Sequence, residues 1–73
     1  MRRDMEHEIV LHDPETGTKY TDRVAHEMFA QAVVNAYWAR YVITTATHTV
    51  SSYVKDGVTM PITLIHLEGI KRR

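Results

Sequence analysis

A single segment of the 73-residue chain, residues 22–41, has helical periodicity, and it carries two apolar stripes. At about 100° per residue, one wide stripe gathers on one face, with Met28 beside it. Its members are Ala25, Phe29, Ala32, Val33, Ala36 and Tyr37. A narrow stripe lies on the opposite side and consists of Ala30, Val34 and Trp38. Since a small domain buries one helix face, we expect the wide stripe to face the chain's own core. The narrow stripe is then left for a partner or a second copy.

The size of the chain limits how it can be stabilised. With 73 residues it forms one domain, residues 1–73, near the lower limit for an independent hydrophobic core. It contains no cysteine, so neither a disulfide nor a thiolate metal site can add stability. No stretch approaches the roughly 18 apolar residues of a membrane span, and no signal peptide is recognisable. We therefore expect a cytoplasmic protein with no membrane contact, with an economical fold or an oligomeric state.

The charges are unevenly distributed along the chain. Nine basic residues balance nine acidic ones, but five of the basic residues lie at the ends. Between Asp4 and Ile70, four basic residues remain against nine acidic ones, a net charge of −5. Such a body repels a phosphate backbone, so we do not expect nucleic-acid binding. Segments 1–5 and 71–73 are predicted to be flexible basic ends.

The first hairpin is marked by turn residues between two short apolar runs. Asp13 can accept bonds from downstream amides, Pro14 fixes its φ angle, and Gly17 suits a left-handed conformation. Pairing His12 with Lys19 across this turn gives the hairpin an inward face. The side chains predicted on that face are Ile9, Leu11 and Tyr20.

The bounds of the helix are less clearly marked. Asp22 is the predicted N-cap, because its carboxylate can accept the free N–H groups of a first turn. The helix should end near Tyr41, because residues 42–50 form a β-branched run that favours a strand.

The second hairpin admits two registers. A two-residue loop pairs Tyr53 with Met60. A three-residue loop, with Gly57 in a bulge, pairs Val54 with Val58 instead. The three-residue loop gathers apolar side chains on one face, as a half-buried sheet requires, and we predict it for that reason. The gathered residues are Val50, Val54, Val58, Met60, Ile62 and Leu64.

The element order is therefore ββαββ, which predicts an α+β fold. Two β-hairpins flank one long helix, and the helix packs on an antiparallel or mixed four-stranded sheet. This order resembles that of the β-grasp proteins. The resemblance implies that the first and last strands pair in the middle of the sheet. Two alternatives remain open, since the hairpins could stack differently or complete their sheet in a dimer.

The histidines are the main candidates for site chemistry. In the predicted register, His48 and His66 are diagonal neighbours on one face, but a metal site needs a third ligand and none is nearby. His26-Glu27 resembles the start of the zinc-protease motif HExxH, yet Ala30 stands where the second histidine belongs. We expect no metal, and histidines that form hydrogen bonds at the polar end of the core.

No catalytic or cofactor motif is recognisable. Paired carboxylates do not converge, and the only serines, Ser51 and Ser52, lie in a predicted strand. There is no glycine-rich phosphate loop. We therefore expect no cofactor and no enzymatic activity.

The function predicted from these features is protein binding. We expect an inhibitor or accessory protein of phage type that binds a larger macromolecule as a homodimer. The predicted partner or dimer interface consists of Ala30, Val34 and Trp38, rimmed by His26 and Glu27. In an alternative interpretation, Trp38 folds over the helix end onto the third strand or the N-terminal arm.

A second function class is an oligomeric small-molecule binder, with nucleotide-like ligands in pockets between subunits. Cationic side chains would meet phosphates and aromatic side chains would stack on a base. The predicted contacts are Arg23, Arg40, Tyr41 and Tyr53.

Overall fold

The computed structural model describes residues 5–73 as one four-stranded sheet with one helix. The elements are β1 (Glu6–Asp13), β2 (Thr18–Val24), α1 (Glu27–Arg40), β3 (Tyr41–Lys55) and β4 (Val58–Lys71). The strand order is β2-β1-β4-β3, and the two central strands, β1 and β4, run parallel. The predicted ββαββ order and the α+β class are confirmed. The central pairing of first and last strands is the arrangement that the β-grasp resemblance implies.

The first hairpin has the predicted register, with His12 opposite Lys19. The Asp13 carboxylate accepts the backbone N–H of Glu15 at 2.9 Å, and Gly17 has a φ of +77°. The inward face is only partly as predicted. Ile9 and Leu11 are fully buried, but Tyr20 is half-exposed because it lies on an edge strand.

The predicted N-cap, Asp22, is wrong. β2 continues through Asp22 to Val24, because pairing with β1 extends to the His7–Val24 pair. The helix begins at Glu27, and the N-cap is His26, whose Nδ1 accepts the Met28 N–H at 3.0 Å. It ends at Arg40, close to the predicted end.

The orientation of the helix also differs from the prediction. The sheet contacts an arc that straddles the two predicted stripes. Ala30, from the narrow stripe, is 2% exposed and belongs to the core with Ile9, Leu11, Tyr41 and Leu67. The helix residues packed against this core come from both stripes: Val33, Val34 and Tyr37. Phe29, expected at the core, is exposed to solvent, and so is Met28 beside that stripe.

The second hairpin adopts the two-residue loop, so the predicted three-residue register is wrong. Asp56 and Gly57 both have positive φ angles, 52° and 77°, as a type I′ turn requires. Tyr53 pairs with Met60 and Lys55 with Val58. The predicted register assumed one half-buried face, but β1 reaches β4 only as far as the Glu6–Ile62 pair. Beyond that pair the hairpin is a two-stranded ribbon, and neither face has to be apolar.

We call residues 50–61 the ribbon arm; they comprise this two-stranded ribbon and the residues of β3 just before it. Its exposed apolar side chains lie on both faces. Val50 and Val54 are on the face that the helix shares, and Val58 and Met60 are on the other. A two-stranded ribbon has little stability by itself, so the arm depends on the rest of the sheet.

The structure describes the C-terminal basic end, 71–73, and only Met5 of the N-terminal one. Residues 1–4 lie outside the part of the chain that the structure describes. At the other end, Lys71 is the last residue of β4, and the Arg72 N–H donates to the Arg40 carbonyl at 2.8 Å. The flexibility of both ends stays a prediction.

The Tyr37 hydroxyl donates a hydrogen bond to the Asp22 carboxylate and so ties the helix to β2. Burial, and then this bond, raise the pKa of Tyr37 above its ordinary value of 10.0. A raised folded-state pKa contributes stability that is fully present below about pH 10 and is lost as the pH rises further.

We therefore expect Tyr37→Phe to destabilise the protein by about 0.5–1.5 kcal/mol at neutral pH. The difference in free energy of unfolding between variant and wild type should narrow above about pH 10, because only the wild type has this hydroxyl to ionise. Urea unfolding at neutral and alkaline pH measures both effects. A gap that stays constant, or grows, with rising pH would contradict this assignment.

Candidate functional site

A groove of about 470 Å³ separates α1 from the helix-facing side of β3 and β4. Its helix wall consists of Glu27, Ala30, Gln31, Val34 and Trp38. Its sheet wall consists of Ala46, Thr47, His48, Thr63, Ile65 and Leu67. Ala30 and Val34 on the helix wall also belong to the core or pack against it, so the groove opens directly beside the core.

The polar groups at the buried end of the groove have partners within the chain. His7 is buried, and its Nδ1 donates to the Met5 carbonyl at 2.7 Å. Thr63 is buried as well, and its hydroxyl donates to the Met5 sulfur at 3.1 Å. Among residues 5–73, no buried side-chain nitrogen or oxygen lacks a hydrogen-bond partner. A groove with largely apolar walls and satisfied polar groups suits an apolar segment or a small ligand.

Four of the five predicted interface residues line this groove. Trp38 is 46% exposed, so it stays accessible, and Val34 is half-buried beside it. Glu27 lies at the exposed start of the helix. Ala30 lines the groove as well, but it is 2% exposed and belongs to the chain's own core, so it offers a partner almost no surface.

His26, the fifth predicted interface residue, is placed elsewhere. It caps the helix through its Nδ1, and its ring centroid lies 5.6 Å from that of Phe29. It does not line the groove, so its predicted place at the rim of the tryptophan patch has no support from this geometry.

The four predicted ligand contacts lie in two separate places. The Arg23 guanidinium is 5.3 Å from the centroid of the Tyr53 ring, and its Nε is 3.1 Å from the Glu6 carboxylate. This network lies on the sheet face away from the helix. Arg40 and Tyr41 instead line a cleft of about 390 Å³ with Tyr20, Tyr37 and Lys71. The structure therefore does not bring the four residues into one site.

The predicted histidine pair is wrong. His48 is opposite Ile65, and His66 is opposite Thr47, so the two imidazoles lie on opposite faces of the sheet. The error follows from the register of the second hairpin, which differs by one residue from the prediction. Within residues 5–73, no group of three His, Asp or Glu side chains is placed to hold a metal ion.

The exposed apolar surface of the ribbon arm is a feature that sequence reasoning missed. Val50 is 66% exposed and Val54 is 70% exposed, whereas the predicted register placed both on a half-buried face. The signal was present in the Asp56-Gly57 pair, which favours a two-residue type I′ turn. The strand lengths agree with this exposure. The strands of the first hairpin have eight and seven residues, so they cannot extend along the whole second hairpin, whose strands have fifteen and fourteen.

Comparisons with known proteins do not assign a family. No protein-family model matches this chain, and no curated protein or solved structure matches it. In the described part of the chain, no helix is long and apolar enough to cross a membrane. Function is therefore inferred from the groove, the ribbon arm and the distribution of charge.

Proposed function

We propose that this chain is a small non-enzymatic protein-binding module that works as a homodimer. It would act as an inhibitor or accessory protein of phage type by binding a larger macromolecule. The observation that carries this proposal is the half-exposed Trp38 at a largely apolar groove. Tryptophan is enriched among the residues that dominate binding energy, where it fills desolvated pockets near the interface centre.

The neighbouring exposed side chains support protein binding. Single apolar residues on a surface are ordinary, but here Val50 and Val54 lie on the same side of the sheet as Trp38 and the groove. Exposed apolar side chains on the side of the domain that holds the groove are typical of an interaction site.

The charge of the chain favours a particular kind of target. The body between Asp4 and Ile70 carries a net charge of −5, and Glu27 lies at the groove. Complementary charge steers association and selects partners. A basic protein surface, including one that normally holds nucleic acid, is the expected target.

Binding of the target should depend on Trp38. We expect Trp38→Ala to lower capture of a protein partner from a cell extract by about tenfold or more, because it removes the aromatic anchor. Met28→Ala is the matched control: Met28 is 65% exposed on the same helix but does not line the groove. The measurement is quantitative pull-down followed by mass spectrometry. Equal capture by both variants would contradict the proposed role of Trp38.

The size of the groove favours one second candidate, an oligomeric binder of a nucleotide-like small molecule. Its volume of about 470 Å³ falls within the roughly 300–1,000 Å³ of small-molecule sites. Such a binder should gain melting temperature in the presence of nucleotides by mass action. A protein-binding module should melt at the same temperature with and without them, so a thermal-shift screen separates the two functions.

A further inference from the structure

The two edges of the sheet differ sharply in charge. The edge strand β2 carries Lys19, Asp22 and Arg23 within seven residues. The other edge strand, β3, carries no Asp, Glu, Lys or Arg from Tyr41 to Val54, and it contains no proline. An edge strand exposes unpaired N–H and C=O groups, and proteins normally protect such edges with charges, prolines or short length. Between its bulge at Ile43–Thr45 and its last residue, Lys55, the edge of β3 has none of these protections.

We propose that β3 pairs antiparallel with β3 of a second copy, which joins the two sheets into one of eight strands. This inference rests on the homodimer of the proposed function and names its interface. A two-fold axis places the same strand of both copies against itself, so a neutral strand meets no like charge there. The charged β2 edges then form the outer edges of the joined sheet.

The sequence of β3 favours one register for this pairing. In β3, alternate residues direct their backbone groups toward β4, so self-pairing requires residue numbers that add to an even sum. A two-fold axis at Val50 places Val50 opposite Val50 of the partner subunit. It also places Val54 opposite Ala46 of the partner subunit, and Ser52 opposite His48 of the partner subunit. Every apolar side chain on the helix-facing side is then matched with an apolar one.

Other axes satisfy β3 less well. An axis at Ser52 also places Val50 opposite an apolar residue, Val54 of the partner subunit, but β3 ends at Lys55, so it pairs only residues 49–55 and leaves Ala46 unpaired. An axis at His48 places two imidazoles against each other, which repel when protonated. An axis at Thr49 places Val50 opposite a histidine. The bulge between Ile43 and Thr45 lies outside the stretch 45–55 that pairs about Val50, so the paired backbone is regular.

Pairing about Val50 also completes the groove. Ala46 lies on the sheet wall of the groove and Trp38 on its helix wall. Val54 of the partner subunit, opposite Ala46, adds a third apolar side chain at the open edge. One contact thus covers the two most exposed valines that share a face with the groove, Val50 and Val54.

The chain has no cysteine, so a single introduced cysteine is its only thiol. Directly opposite Cα atoms on antiparallel strands lie about 4.5–5.5 Å apart, within the range that a disulfide bridges. With oxidised glutathione as the oxidant, we expect Val50→Cys to become mostly disulfide-linked dimer. Val58→Cys is the matched control: Val58 is exposed on the same ribbon arm, but it belongs to β4 and lies on the other face of the sheet, so it is not part of the proposed β3 contact. It should stay unlinked.

A mixture of the Val54→Cys and Ala46→Cys variants tests the register. A disulfide should form between one chain of each variant, and neither variant alone should form a disulfide-linked dimer. Light scattering of the wild-type protein, measured alongside, separates the possible failures. A dimeric mass with no more linkage in Val50→Cys than in Val58→Cys would overturn the β3 pairing and leave the homodimer intact. A single-chain mass at all concentrations would overturn the homodimer and the pairing together.

Discussion

Replacing Leu11 by alanine is expected to remove a large part of the protein's stability and to lower its urea unfolding midpoint strongly. Leu11 is 0% exposed and is one of three fully buried large side chains, with Ile9 and Leu67. Truncating a buried leucine costs about 2–5 kcal/mol, through lost transfer energy and the cavity that remains. At about 0.05–0.15 kcal/mol per residue, the whole domain holds only roughly 4–11 kcal/mol. One side chain therefore accounts for a large part of the total stability.

Urea unfolding followed by circular dichroism measures this effect. Val10→Ala is the matched control, because Val10 precedes Leu11 on β1, is half-buried and lies on the sheet face away from the helix. We expect Val10→Ala to cost about 1 kcal/mol and to keep the fold. Equal unfolding midpoints for the two variants would show that the core is not centred on the helix-facing side of β1.

The second large effect is expected at Gly69, a buried glycine of β4 opposite the bulge in β3. A Cβ atom there would lie 2.7 Å from the Val42 carbonyl oxygen and 2.9 Å from Cδ1 of Ile43. The side chain of Ile43 can rotate, but the carbonyl moves only if the strand moves. We expect Gly69→Ala to destabilise the protein by about 1–3 kcal/mol, as overpacking does.

A double-mutant cycle with Ile43→Val tests the cause of this effect. Ile43→Val alone should cost about 0.5–1.5 kcal/mol, because it deletes a half-buried methyl group. In the Gly69→Ala background its cost should shrink, since removing Cδ1 relieves one of the two clashes. Additive costs would place the strain at the backbone of β3, where the Val42 carbonyl oxygen lies 2.7 Å and the Ile43 Cα atom 3.1 Å from the added Cβ. An unchanged stability of Gly69→Ala would contradict the close approach of β3 and β4.

Local signals predicted the first hairpin and the element order. The turn at Asp13 is specified by residues within a few positions of each other, and its bonds form as their chemistry indicates. The pairing of β1 with β4 joins residues more than fifty positions apart, and only the β-grasp resemblance indicated it. Local sequence signals therefore predict hairpins, whereas the order of strands in the sheet is predicted only by comparing the whole succession of elements with a known fold.

The errors share one physical cause, which is tertiary context. Asp22 is a good helix cap by itself, but pairing with β1 keeps it in a strand. The second hairpin was assigned the register that a half-buried sheet needs, whereas its far half extends past β1. The helix was assumed to present its widest apolar stripe to the core, and the sheet contacts a different arc.

The candidate site was partly predictable. The narrow stripe identified Trp38, Val34 and Glu27 as neighbours, and all three line the groove. The uncharged edge of β3 could not be recognised from sequence, because the order of strands in the sheet decides which strands are edge strands. A lack of charge along a strand indicates an edge open to pairing only when the strand is known to be an edge strand.

The most direct test of a homodimeric protein-binding module is the solution mass of the wild-type protein. Sedimentation equilibrium over about a hundredfold range of concentration would follow any dissociation by mass action. We predict a mass of twice the 8.5 kDa chain at the upper end of that range. A mass of one chain at every concentration would contradict the homodimer.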